Sequence, residues 1–116
     1  MKYAGSCHCG RIAFEVEGEI DQVHDCNCSM CRRRGGLLWF VPRAALALST
    51  PESDLSTYTF NKRHLQHRFC AHCGIATFSE GVNPKTGAAM AAVNVRCLPE
   101  VELSALKVVP VDGASF

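Results

Sequence analysis

No stretch of this chain is apolar for long enough to cross a bilayer: the longest run, Gly35 to Val41, is broken by Pro42 and Arg43, far short of the roughly 20 residues a spanning helix needs. A membrane role is not expected. The start, Met1-Lys2-Tyr3-Ala4-Gly5-Ser6, has no apolar core and no small-residue cleavage site of the kind a secretory signal carries. That points to a reducing, cytoplasmic compartment. Neither sign of charge is in excess, since 12 basic and 11 acidic residues leave a net charge of +1, which argues against a surface built to coat nucleic acid. Aromatics are sparse at 8%. Repeats, linkers and low-complexity stretches are absent, so residues 1–116 read as one domain of ordinary composition, with 47% hydrophobic and 20% charged residues. A chain of this length buries about two-thirds of its unfolded surface without help from a metal.

Cysteine, by contrast, is abundant. There are eight, and in a reducing compartment such a pattern means metal or redox chemistry rather than disulfides. They fall into tight groups: Cys7-His8-Cys9, Cys26-Asn27-Cys28-Ser29-Met30-Cys31, Cys70-Ala71-His72-Cys73, and the solitary Cys97.

Periodicity places these groups on β structure. Ile12, Phe14 and Val16 alternate with polar neighbours between Arg11 and Gly18, the period of a half-buried strand, so the first pair sits on the turn entering it. Gln22 to Cys26 is a short strand that delivers the triplet. Arg32 to Gly36 is a basic, flexible turn, and Leu37 to Val41 a buried strand ended by Pro42. Ala44 to Leu48 is compatible with a helical turn or an edge strand, and Thr50 to Asp54 is turn chemistry. Leu55 to Phe60 is a strand, with Leu65 to Cys70 its hairpin partner across Asn61-Lys62-Arg63. Ile75 to Ser79, Ala88 to Cys97 and Lys107 to Val111 complete the strands, the loop Val82 to Gly87 and the turn Asp112-Gly113 the connections. The fold class is mainly β.

Zinc takes four ligands in a tetrahedral array. Cys7, Cys9, Cys70 and Cys73 supply four thiolates, and a metal there clips the N-terminal strand to the middle of the domain, closing a long loop. In Cys73-Gly74 the glycine lets the backbone turn amides toward a thiolate. Cys26, Cys28 and Cys31 supply only three. Either the fourth position is open to water or substrate, or Cys97 or one of His8, His24, His64, His67 and His72 closes it. A reversible disulfide within the triplet finds no support in a thioredoxin-like strand-to-helix context. An open three-thiolate zinc is a soft Lewis acid suited to a further sulfur ligand, and a small thiol can bind it as thiolate; polarising a carbonyl or activating water is the alternative. Arg32, Arg33 and Arg34 follow at once, where guanidinium forks can grip the carboxylates of an anionic thiol; a solvated basic turn is the alternative. His67 is placed to orient a ligand or to be an ordinary strand histidine, and Cys97 reads as a buried thiol.

Gly5-Ser6-Cys7-His8-Cys9-Gly10 leading into Phe14-Glu15-Val16, then Cys26-Asn27-Cys28-Ser29-Met30-Cys31-Arg32, then His67-Arg68-Phe69-Cys70-Ala71-His72-Cys73-Gly74, together with Val93 to Leu98 and Asp112-Gly113, resemble the pattern of the glutathione-dependent formaldehyde-activating enzyme family, which also includes centromere protein V. The resemblance covers nearly the whole chain. It implies a β-tent fold of small antiparallel sheets, a structural zinc on Cys7, Cys9, Cys70 and Cys73, and a catalytic zinc on Cys26, Cys28 and Cys31. It also implies carbon–sulfur lyase chemistry, the reversible combination of glutathione with formaldehyde into S-hydroxymethylglutathione. Two rival readings are a β-tent module that binds a protein and uses both zincs structurally, and a nucleic-acid-binding zinc module using Arg32 to Arg34.

Overall fold

Alternation of apolar and polar residues builds two sheets. The computed structural model describes residues 1–60 and 65–115; the Asn61-Lys62-Arg63 turn and His64 lie outside that range. Strands β1 (Lys2–Ser6), β2 (Ala13–Glu17) and β5 (Leu46–Leu48) form an antiparallel sheet in the order β1-β2-β5. β1 has no counterpart among the strands expected from sequence, because Lys2-Tyr3-Ala4-Gly5-Ser6 carries no apolar alternation.

The second sheet has seven strands. These are β3 (Val23–Cys26), β4 (Leu38–Pro42), β6 (Leu55–Tyr58), β7 (Leu65–Cys70), β8 (Ala76–Val82), β9 (Ala89–Asn94) and β10 (Val108–Val111), in the order β10-β3-β4-β9-β8-β7-β6. Its pairings are antiparallel except that β10 runs parallel to β3, Val108 facing Val23 and Val111 facing Cys26. The small antiparallel sheets that the resemblance implies are thus present, with this one parallel pairing at the edge of the larger one. Ala44 to Leu48 holds both of its candidate structures, a 3-10 turn at Arg43–Ala45 followed by the edge strand β5. Ala88 to Cys97 divides likewise into β9 and a 3-10 turn at Val95–Cys97.

The two sheets share one hydrophobic core. Phe14 and Val16 of β2 and Leu46 of β5 face Trp39 and Val41 of β4, Phe78 of β8 and Val93 of β9. Rings bridge the layers edge to face, Phe14 on Phe78 at 6.0 Å and Tyr3 on Trp39 at 5.8 Å, a geometry the ring quadrupole favours. Gly5 lets β1 lie flat on this core: a Cβ there would strike the Phe14 ring and Leu98.

The other face of the large sheet leaves the core. On β4, Trp39 and Val41 are buried but Phe40 is 51% exposed, so the expected buried strand is buried on one face only. Arg32 to Gly36, expected to be a flexible turn, is instead one helical turn, α1 (Cys31–Arg34). Among the described residues no helix is long and apolar enough to cross a membrane.

Candidate metal centres and the cleft beside them

The first cluster joins two turns far apart in sequence. Cys7 and Cys9 lie on the turn between β1 and β2, which closes through the Cys7 amide on the Ile12 carbonyl at 3.0 Å. Cys70 ends β7, and the turn after it closes through the Gly74 amide on the Cys70 carbonyl at 2.9 Å, with Gly74 at φ 81°. The four Sγ atoms lie within 4.8 Å of one another, Cys9 standing 3.6 Å from both Cys7 and Cys70. None of the eight cysteines forms a disulfide.

Backbone amides surround these sulfurs. His72 and Cys73 donate to Cys70 Sγ at 3.3 and 3.4 Å, and Ile12 to Cys7 Sγ at 3.4 Å. Such donors favour the thiolate. The Ile75 amide is the largest influence drawing Cys73 down to about 6, and the Cys73 amide draws Cys70 below its usual value. Cys9 moves the other way, to about 11: the Arg11 amide lowers it, but burial and the sulfurs of Cys70, Cys7 and Cys73 outweigh that. Four sulfurs this close cannot all ionise unaided, and a divalent cation is what lets them. The cluster can hold a metal ion.

The second cluster sits where β3 meets α1. Cys26 ends the strand, Cys28 occupies the turn and Cys31 opens the helical turn, with their Sγ atoms within 4.8 Å of one another. The Cys28 amide points at Cys26 Sγ at 3.5 Å and the Cys31 amide at Cys28 Sγ at 3.3 Å. Cys28 ionises more readily than usual; burial opposes this, but the Cys31 and Met30 amides and the neighbouring thiols outweigh it. Cys31 is pushed strongly up, first by burial and then by Cys28 and Cys26. This cluster too can hold a metal ion. Among the described residues it has three members: neither Cys97 nor His8, His24, His67 or His72 joins it, and His64 lies outside the described range. The strand does run into a helix here, a context the sequence does not suggest, but the helix is a single turn.

Residues 111–114 are bound to Asn27, between Cys26 and Cys28. Asn27 donates from Nδ2 to Asp112 Oδ1 at 3.1 Å and accepts the Ala114 amide at 2.9 Å, while its own amide donates to the Val111 carbonyl at 3.0 Å. Gly113 is thereby laid on the cluster so closely that a Cβ would collide with Cys26 Sγ. Asp112 stays ionised below the usual carboxylate range through its bonds from Ser115 and Asn27.

Cys26, Cys28 and Cys31 border a cleft of about 910 Å³ on the free face of the large sheet, the size of a small-molecule site. Of the three arginines, Arg34 lines it, with its guanidinium 5.9 Å from the Phe69 ring centroid. Arg33 turns back to the Ser29 carbonyl at 2.6 Å, and Arg32 is exposed outside the lining. Arg96, to which the sequence gives no role, also lines the cleft and donates from Nε to the Gly35 carbonyl at 3.1 Å. No aspartate or glutamate is among the lining residues. His67 is 6% exposed, lines the cleft and bonds through Nδ1 to Ser79 Oγ at 2.8 Å. Burial, then the Arg34 charge, lowers its pKa. Cys97 lies on the cleft wall, its pKa raised to about 11 by burial and then by Cys7 and Cys73.

Fold and site together define a mainly-β protein with two thiol clusters able to bind metal, one of them opening on a ligand-sized cleft. The family profile described as "Glutathione-dependent formaldehyde-activating enzyme" matches residues 2–108, and the chain belongs to that family. A crystal structure of a Rhodobacter sphaeroides protein is 32% identical, aligns over 94% of this chain and 100% of its own, and superposes with a TM-score of 0.77.

Proposed function

We propose that this chain is a zinc enzyme that makes or cleaves the carbon–sulfur bond in the adduct of a thiol such as glutathione with a small carbonyl compound. The observation that carries this reading is the contrast between the clusters: one brings four thiols together, the other brings three to the edge of a cleft. Zinc fits both donor sets. Sulfurs about 2.3 Å from a tetrahedral zinc stand about 3.8 Å from each other, and the 3.6 Å separations about Cys9 are close to that. Cys7, Cys9, Cys70 and Cys73 would hold a structural zinc, and Cys26, Cys28 and Cys31 a catalytic one. When bound, the second zinc supplies a soft Lewis acid with affinity for the sulfur of the adduct.

The chain's own residues do the rest. Arg34 and Arg96 bind the thiol's carboxylates, with Arg32 and Arg33 adding positive charge outside the cleft. In the cleaving direction the carbon–sulfur bond breaks with its electron pair going to sulfur, the carbonyl bond forms, and the hydroxyl proton passes to His67 Nε2. A neutral His67 can accept that proton. In the tautomer whose Nδ1–H donates to Ser79 Oγ the Nε2 lone pair is free, and the lowered pKa favours the uncharged ring. Eight unpaired cysteines fit a reducing compartment such as the cytoplasm.

Cys28→Ser tests the reading. The variant is expected to fold, to lose one of two zincs by elemental analysis, and to lose turnover of S-hydroxymethylglutathione. Full turnover in that variant would refute the assignment.

A further inference from the structure

The wall of the cleft does not match a one-carbon carbonyl. Registers place Phe40 of β4 opposite Ala92 of β9, Ala92 opposite Ser79 of β8, and Ser79 opposite His67 of β7. This is one row of side chains across four strands, and all of its members line the cleft. Its middle is small, alanine and serine. Its ends are rings: Phe40, packed edge-on against His24 at 5.0 Å, and His67, stacked on Phe60 at 5.4 Å. The row is a slot with a low floor and two ring walls. Ile75 and Leu65 extend its apolar surface, both exposed, as Phe40 is. Arg34 ends α1, the turn that Cys31 opens, and Arg96 bonds the Gly35 carbonyl just after it, so positive charge lies on the segment that follows the thiols and apolar surface farther along β4.

An exposed ring such as Phe40, with Ile75 and Leu65 beside it, is costly to leave wet in a cleft. Glutathione is polar along most of its length, and formaldehyde adds one carbon, so neither covers this slot. We propose that the slot between Phe40 and His67 receives a ring-sized apolar group of the substrate, so that the carbonyl partner is an aromatic or comparably bulky apolar aldehyde or ketone rather than a one-carbon compound. This rests on the carbon–sulfur reading above for the reaction, but not for the binding. Anionic thiol at Arg34 and Arg96, sulfur at the triplet and ring over Ala92 and Ser79 account for the whole cleft with one ligand.

Thioethers of glutathione separate binding from chemistry, because they have no hydroxyl through which to collapse. On the zinc-loaded full chain, calorimetry is expected to give S-benzylglutathione at least about tenfold tighter binding than S-methylglutathione. Phe40→Ala is expected to cut that ratio at least about fivefold, while Val108→Ala, an exposed apolar residue on β10 outside the cleft, keeps it. Equal affinities, no measurable binding of either thioether, or a ratio indifferent to Phe40→Ala would overturn the proposal. Turnover of the glutathione adducts of formaldehyde and phenylacetaldehyde is measured alongside. If neither adduct is cleaved while the thioether ratio holds, the lyase reading fails and the slot stands. If the formaldehyde adduct is cleaved and the ratio is one, the slot fails and the lyase reading stands.

Discussion

Gly113 is the residue whose importance is least visible in composition and most visible in contact. Its missing side chain leaves room for Cys26 Sγ, so Gly113→Ala must move either the sulfur or the 111–115 segment. The expected outcome is weaker metal binding at the triplet with the four-thiol metal retained, read as a fall from two metals toward one per chain during dialysis against a mild chelator. Gly5→Ala is a packing change of the same kind in the core, where a Cβ meets Phe14 and Leu98; overpacking of this sort costs about 1–3 kcal/mol, measurable by denaturant unfolding. His67 supplies a pH signature. Its pKa lies below the usual value of about 6.5, so the unfolded chain takes up a proton before the folded one. Its stabilising contribution is therefore whole above that usual value and is lost as pH falls toward the folded value. Turnover should fall with pH through the same window, and His67→Gln should flatten that limb of the profile. Cys26, Cys28 and Cys31 are legible in the chain because metal-ligand spacing is local. Gly113 shows in sequence only as part of a terminal turn and a family pattern, since nothing local says which sulfur it must clear.

At the scale of elements, β4 shows why the cleft could not be read from the chain. Leu37-Leu38-Trp39-Phe40-Val41 is apolar throughout and reads as a strand covered on both faces. In the fold only the face with Trp39 and Val41 meets the core, and Phe40 faces the cleft. A continuous apolar strand in a two-layer protein is itself a signal of a ligand wall, but only once the layers are known. The pairing of β10 with β3 is the second element the sequence hid. Parallel partners need a long crossover, and no short-range turn announces that residues 108–111 lie beside residues 23–26. Asn27 holds that arrangement at its end through Asp112, Ala114 and Val111. Asn27→Ala removes its two side-chain bonds, and the expected result is faster hydrogen exchange at the Ala114 amide with little loss of global stability, since both partners are exposed and such bonds net about 1 kcal/mol each.

At the scale of the whole molecule the four-thiol cluster joins segments far apart in the chain, whereas the triplet lies on one short stretch. Cys9 and Cys70 are 61 positions apart, so a metal on that cluster would clip the β1–β2 turn to the end of β7 and, binding only the folded arrangement, would add its binding free energy to the chain's stability. Cys70→Ser is expected to unfold the chain or lower its melting temperature sharply, whereas Cys28→Ser should leave melting nearly unchanged; circular dichroism melts of the two variants, with and without EDTA, distinguish them. By itself the sequence determined the mainly-β class, the close spacing of seven of the eight cysteines, and the resemblance that the family match bears out, because alternation and ligand spacing are properties of neighbouring residues. Tertiary structure alone decided which of these arginines line the cleft, adding Arg96 to Arg34 and leaving Arg32 and Arg33 outside. It also put Phe40, Ala92, Ser79 and His67 in one row and set Gly113 on Cys26. Those facts depend on strand order and register, which are settled by packing between residues too far apart for any local pattern to record.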